Sequence, residues 1–153
     1  MKSVRCRRCE ALLTPPLKSV EVDFEPEVTD CENLIPKGCY WVAHDFLPEH
    51  VNGHIVIHSE GLYDLQPHPD PKRHSGCCGE DGGDGPNRIC GCGDAVATVV
   101  SDCWTGYYVH FEPGLVTMDN PQNKTGESGR DGRIAPATPP TPPGMRLRTG
   151  RFQ

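Results

Sequence analysis

The sequence predicts a small, mainly β domain followed by a tail that has little capacity to fold. Hydrophobic residues make up only 35% of the chain, while 17 Gly and 16 Pro residues disfavour long core helices. Apolar and charged residues alternate over residues 20–25 with the period of two that is typical of a half-buried strand. Nine Cys residues offer cross-links to a core that is modest for 153 residues.

Short strands are predicted wherever β-branched and aromatic residues cluster between turns rich in Gly and Pro. In the strand predicted over residues 54–58, His54 and His58 fall on one face and Ile55 and Ile57 on the other. Both His side chains are therefore expected to be exposed. No window predicts a helix longer than a single turn. The predicted strands, which we expect to form an antiparallel sheet, cover residues 20–25, 40–46, 54–58, 95–101 and 107–111.

A change in composition near Asn120 divides the chain into a Cys-rich domain, residues 1–120, and a Pro/Gly-rich tail, residues 121–153. We expect the tail to be disordered. Residues 1–123 carry 9 Lys/Arg against 19 Asp/Glu, whereas residues 124–153 carry 6 against 2. This acidic body argues against nucleic-acid binding by the folded part, and the basic tail leaves an acidic partner open.

The chain carries no segment that predicts export or membrane insertion. Its first residues are basic, but no apolar stretch of signal-peptide length follows them, and the longest apolar runs are as short as residues 55–57. We therefore expect a cytoplasmic protein with reduced thiols. In that setting clustered Cys residues are more often metal ligands than disulfides, and an odd total of nine fits a disulfide framework poorly.

Two closely spaced Cys pairs indicate a metal site. Cys6 and Cys9 form a Cys-x-x-Cys pair, and Cys90 and Cys92 form a Cys-x-Cys pair followed by Gly93. In a zinc knuckle the chain turns tightly so that two thiolates face one ion, and a Gly after the second Cys accepts the positive φ of such a turn. The sequence thus predicts a four-Cys zinc site that joins the two ends of the domain.

A second arrangement of ligands competes with this site. One of the adjacent residues Cys77 and Cys78 could join Cys90, Cys92 and Cys103 in a local site, which would leave Cys6 and Cys9 to another ion or to none. A protein with two zinc ions therefore also stays open. In an extended backbone adjacent side chains point to opposite faces, so only one of the two is expected to reach a given ion.

The other candidate ligands are interpreted more conservatively. His68 or His74 could complete a shell of three thiolates. Cys31 and Cys39 are interpreted as packed side chains. The Asp-rich and Gly-rich loop 80–87 is interpreted as a turn, because the residue spacing of an EF-hand is absent.

One block of the sequence resembles a block in small uncharacterised bacterial proteins. It consists of HPDP, SGCCGEDGGDGPN, CGCG and SDCW between residues 68 and 104. The resemblance implies a bacterial, cytosolic origin and carries no catalytic residue to this chain. At the level of the fold, two Cys knuckles on strands are also similar to zinc ribbons and to the β-tent domains of the cereblon and Yippee type. Those families typically use two Cys-x-x-Cys pairs, from which the Cys-x-Cys spacing departs.

Three functions from different classes follow from these features. The first is a non-enzymatic, zinc-stabilised module that binds an unidentified protein partner, since no acid, base and nucleophile converge in the sequence. The second is a thiol redox or zinc-release sensor that uses Cys77, Cys78 or Cys103. The third is a metal-dependent hydrolase, which requires a coordination position open to water.

Overall fold

The part of the chain that the structure describes, residues 1–119 of a computed structural model, is mainly β, as predicted. It contains two sheets and three short 3-10 helices, at Glu49–Val51, Ser59–Gly61 and Pro71–His74. None of the helices in residues 1–119 has the length and apolar character needed to cross a bilayer. The predicted tail lies outside the described residues. The strands are β1 Ser3–Cys6, β2 Lys18–Ser19, β3 Cys39–Val42, β4 Ile55–Ile57, β5 Gln66–Pro67, β6 Arg88–Ile89, β7 Ala95–Val100, β8 Tyr108–Phe111 and β9 Val116–Asp119.

Seven strands form the larger sheet in the order β2-β3-β4-β8-β7-β6-β5. Every neighbouring pair is antiparallel except β2 and β3, which run parallel. Strand β4 lies in the interior of this sheet, between β3 and β8. Its residue Val56 pairs with Trp41 of β3 and with His110 of β8. The remaining strands, β1 and β9, form a separate antiparallel pair.

Both faces of the larger sheet are covered by apolar side chains. On one face the β1–β9 pair contributes Val4 and Val116 to a core that includes Ile57, Val109 and Phe111 of the larger sheet. A second cluster contains Trp41, Val56, Val100 and Tyr108 together with loop residues such as Leu34, Ile35 and Val51. The alternation of side chains along β4 explains this division, because Ile55 and Ile57 join the first cluster and Val56 joins the second.

Strands were confirmed within four of the five predicted ranges, as β3, β4, β7 and β8. The prediction for residues 20–25 was wrong. The Val20 N–H still donates to the Tyr40 carbonyl oxygen, but the chain then turns, with the Phe24 N–H donating to the Glu21 carbonyl oxygen. Val22 is fully exposed as a result. An alternating pattern requires a neighbouring strand to become a strand, and none continues beside this segment.

The expectation that His54 and His58 are exposed was also wrong. Both are half-buried, because β4 is an interior strand with a core on each face. The His54 Nδ1 atom lies 2.9 Å from Nδ1 of His110, which is itself buried in β8. Burial, followed by the neighbouring His54 and His50, lowers the pKa of His110 to about 3.

Candidate metal centre

Two distant segments bring four thiols together at one end of the domain. Cys6 is the last residue of β1, and Cys9 follows in the next turn. Cys90 and Cys92 lie in the turn that joins β6 to β7. The four Sγ atoms all lie within 4.8 Å of one another, which is close enough to hold a metal ion.

The separations between these thiols are those of neighbours that share no bond. The Sγ atoms of Cys6 and Cys92 are 3.7 Å apart, and those of Cys9 and Cys90 are 3.4 Å apart. A disulfide requires about 2.05 Å, and all nine cysteines of the chain are free. Each short distance joins one thiol from the N-terminal segment to one from the β6–β7 turn, so the cluster connects the two sheets.

Backbone geometry explains why two short motifs present their thiols on one side. In the second turn the Gly93 N–H donates to the Cys90 carbonyl oxygen, and Gly93 has a φ of +91°. In the first turn the Glu10 N–H donates to the Cys6 carbonyl oxygen, and Glu10 has a φ of +60°. The predicted positive φ after the second Cys therefore occurs in both turns, although only one of them supplies a glycine.

The four thiols differ in how readily they lose a proton. Burial raises the pKa of Cys6 and raises that of Cys90 to about 12. Cys9 is exposed, and hydrogen bonds from the Ala11 amide and then from the Cys90 and Cys92 thiols lower its pKa to about 7. A divalent cation would compensate the negative charge of the thiolates, so metal binding would release protons from the buried thiols of Cys6 and Cys90.

An exposed ion pair links the two turns beside the thiols. Arg8 Nη1 lies 2.6 Å from Asp94 Oδ1, and the two side chains remain 65% and 39% exposed. Because water screens such a pair, it adds little to stability. The buried thiols of Cys6 and Cys90 lie beside this exposed pair.

A second group of thiols lies apart from the first. The Sγ atoms of Cys77, Cys78 and Cys103 lie within 4.8 Å of one another, and this group too could hold a metal ion. The structure does not bring Cys90 or Cys92 to it, so the competing arrangement of ligands was wrong. The physical reason is β7, which separates Cys92 from Cys103 by six extended residues, or about 20 Å.

Both members of the adjacent Cys pair reach the second group, contrary to expectation. Their backbone is bent rather than extended. Gly76 and Gly79 permit this bend: a Cβ atom at Gly79 would lie 2.2 Å from the Ser101 carbonyl oxygen, so the loop packs directly against the end of β7. Without an extended backbone, alternation does not separate the side chains of Cys77 and Cys78.

Asp102 organises the second group, and sequence reasoning missed it. Its carboxylate is 2% exposed and accepts hydrogen bonds from the amides of Cys77, Cys78 and Cys103 at 3.0, 2.9 and 2.8 Å. The Trp104 indole N–H donates a fourth, at 2.7 Å. Donation by the Cys77 and Cys78 amides is the main reason why the pKa of Asp102 lies far below its usual value.

The other candidate ligands from the sequence lie outside both groups. His74 is paired with Glu80 and contacts the His68 carbonyl oxygen. Loop 80–87 is a turn as predicted: Asp81 accepts from the Gly83 amide, and Asn87 is buried and hydrogen-bonded to the backbone of β7.

Two further cysteines were predicted to pack as apolar side chains. That prediction is confirmed for Cys39, which contacts the second core cluster. It is wrong for Cys31, which is exposed, and whose thiol lies 3.2 Å from the Cys103 carbonyl oxygen.

These positions were compared with known proteins. No family model, curated protein or solved structure matches the chain. The two thiol groups are therefore the features of the described residues that bear on function.

Proposed function

We propose that the protein is a non-enzymatic module in which one zinc ion, held by Cys6, Cys9, Cys90 and Cys92, fastens the N-terminal strand to the β6–β7 hairpin. One observation carries this proposal. Tetrahedral zinc with Zn–S bonds of about 2.3 Å requires its sulfur atoms to lie about 3.8 Å apart. The Sγ pairs at 3.7 and 3.4 Å are close to that separation.

The same donor set favours a structural role over the two alternatives from the sequence. Four thiolates fill a tetrahedral zinc shell and leave no position for the water that a hydrolase activates. A redox sensor at the second group needs a readily formed thiolate. There, a hydrogen bond with Cys78 and then burial raise the pKa of Cys103 to about 12, which disfavours Cys103 as the reactive thiol.

Metal content of the full chain, purified without added metal and measured by native mass spectrometry, tests the zinc site. We expect Cys6→Ser and Cys90→Ser each to lose one zinc ion. Because the two residues share an ion, the double variant should lose no more than either single variant. Cys39→Ser, which alters a half-buried thiol outside both groups, is the matched control and should retain the wild-type content.

Two results would refute the four-Cys site. Loss of two ions from the double variant would place Cys6 and Cys90 on different metals. Full zinc content in both single variants would remove the ion from this cluster altogether.

An exposed apolar surface supports the interaction role. Trp104, Val28 and Phe46 are 75%, 49% and 44% exposed and line one shallow groove. The hydrogen bond to Asp102 fixes the indole ring of Trp104. A preorganised aromatic side chain loses little conformational entropy on binding, which is why Trp is frequent at the centres of interfaces. A partner that presents apolar side chains fits this groove.

Site-specific photo-crosslinking in the native host tests the surface. A crosslinker that replaces Val28, which leaves the Trp104 side chain in place, should capture one defined protein, and Phe46→Ser should abolish that capture. The control is the same crosslinker at Val22, which is fully exposed and does not line the groove. Equal capture from both positions, or capture that survives Phe46→Ser, would refute this interaction surface.

A further inference from the structure

The second thiol group offers three of the four ligands that a tetrahedral zinc site needs. Its three members come from two loops, the bend at Cys77 and Cys78 and the turn that follows β7 at Cys103. The Sγ atoms of Cys77 and Cys78 are 3.9 Å apart, close to the separation of about 3.8 Å between thiolates on tetrahedral zinc. Three thiolates nevertheless leave one of the four positions unfilled.

A fourth cysteine lies at the edge of this group. The thiol of Cys31 is 3.2 Å from the carbonyl oxygen of Cys103. Cys31 therefore contacts the backbone of one member of the group.

We propose that Cys31, Cys77, Cys78 and Cys103 bind a second zinc ion through four thiolates. The Cys31 Sγ atom is not among the thiols that lie within 4.8 Å of one another, so binding requires it to change rotamer. Staggered positions about the Cα–Cβ bond lie 120° apart, and a change between them moves Sγ by about 3 Å. Binding breaks four S–H bonds, forms four Zn–S bonds and releases the protons to solvent.

The backbone around Cys31 holds this residue beside the group. The Cys31 N–H donates to the Thr105 carbonyl oxygen at 3.2 Å, and the Tyr107 N–H donates to the Glu32 carbonyl oxygen at 2.6 Å. Cys31 itself has a φ of +63°, in the left-handed region that a non-glycine residue rarely adopts. Such a conformation is kept when surrounding contacts require it, and it often occurs at ligand sites.

The use of cysteine along the chain agrees with two four-thiolate sites. One set of four lies at the start of β7 and the other near its end, which leaves Cys39 as the single cysteine outside both. Cys39 is also the cysteine that packs against an apolar cluster. Each of the nine thiols then has either a metal or a packing role.

A second zinc would fasten a segment that has little regular structure. Between β2 and β3, residues 20–38 contain no strand or helix, and hydrogen bonds with residues 105 and 107 hold their middle portion. A Zn–S bond from Cys31 would attach this segment to the end of β7. This second ion is independent of the first centre, so either proposal can fail alone.

Zinc stoichiometry of the full chain provides the first test, with the metal content measured by native mass spectrometry. Wild type should bind two ions, Cys31→Ser one, and the control Cys39→Ser two. The double variant Cys6→Ser/Cys31→Ser should bind none, because its two residues belong to different sites. A wild-type protein with one ion that Cys31→Ser retains would overturn the second site and leave the first intact.

Alkylation of the zinc-loaded wild type provides a second test that requires no variant to fold. Cys31, Cys77 and Cys78 are exposed, so iodoacetamide should modify them readily unless metal binds them. We expect peptide mass spectrometry to find all three protected in the zinc-loaded chain and modified after chelation. Rapid modification of Cys31 while Cys77 and Cys78 stay protected would overturn its role as the fourth ligand.

Discussion

Replacement of Asp102 by Asn tests the loop geometry most directly. Each carboxylate oxygen accepts two hydrogen bonds, Oδ1 from the Cys78 and Cys103 amides and Oδ2 from the Cys77 amide and the Trp104 indole. An amide offers one oxygen and one NH₂ group. Whichever way the Asn side chain turns, its NH₂ group takes the place of one carboxylate oxygen. The two N–H groups that donated to that oxygen then lose their acceptor.

The magnitude follows from which two hydrogen bonds are lost. A hydrogen bond to a charged group contributes about 1.5–3 kcal/mol, so two give about 3–6 kcal/mol. The amide should turn its NH₂ group toward Cys77 and Trp104, because both are exposed residues where water can replace the lost acceptor. We therefore expect Asp102→Asn to lower the free energy of unfolding by about 3 kcal/mol, near the lower end of this range.

Urea unfolding at pH 7, followed by far-UV circular dichroism at fixed free zinc, measures this change. Fixed zinc matters because a ligand that binds only the folded state adds to its stability. Asp81→Asn is the matched control: Asp81 is exposed, and an amide oxygen can still accept from the Gly83 amide. If Asp102→Asn stays within about 0.5 kcal/mol of wild type, as surface changes do, the carboxylate does not organise these loops.

Three further predictions concern His110 of β8 and two loop residues, Gly79 and Asn87, that pack against β7 or its end. His110, with a pKa near 3 when folded and about 6.5 when unfolded, resists a proton that the unfolded chain accepts. The stability that this difference in pKa gives is complete above pH 6.5 and is lost as the pH falls toward 3. Lowering the pH from 7 to 5 should therefore reduce the free energy of unfolding, measured in urea, by about 2 kcal/mol more in wild type than in His110→Gln. Gly79→Ala should destabilise by roughly 2 kcal/mol in the same assay, because its Cβ would collide with the Ser101 carbonyl oxygen. Asn87→Ala should cost about 3 kcal/mol, because it removes two hydrogen bonds from the backbone of Val99.

Each of these predictions has a result that contradicts it. Equal acid sensitivity in wild type and His110→Gln would mean that His110 is protonated in the folded state. Gly91→Ala is the control for Gly79, since a Cβ there meets no atom within 4 Å, and equal effects of the two substitutions would exclude the collision. A loss below about 0.5 kcal/mol for Asn87→Ala would show that water satisfies the Val99 backbone.

Local chemistry made much of the fold predictable from the sequence. β-Branched and aromatic runs predicted β3, β4, β7 and β8, because those side chains pack well on a pleated, buried surface. Strands β1 and β9 were missed: Ser3–Cys6 carries a mixed pattern, and its pairing with Val116–Asp119 joins the two ends of the described chain. Pairing across such a separation leaves no local signal.

The same division applies to the thiol groups. Tight spacing and a glycine predicted that Cys6, Cys9, Cys90 and Cys92 form a group, and the structure brings these four thiols together. Spacing along the chain misled for Cys103, which is close to Cys92 in sequence but lies beyond β7. An extended strand separates its ends by about 3.3 Å per residue, so proximity in sequence becomes distance in space.

The sequence by itself determined the fold class and the two Cys knuckles, because strand propensity and turn geometry depend on neighbouring residues. Only the tertiary structure decided that both faces of β4 are covered, which cysteines share a group and where Cys31 lies. It also assigned Asp102 its four hydrogen bonds, three of them from backbone amides in two separate loops. These features depend on contacts between segments that are far apart in the chain, and such contacts form only when the two sheets pack.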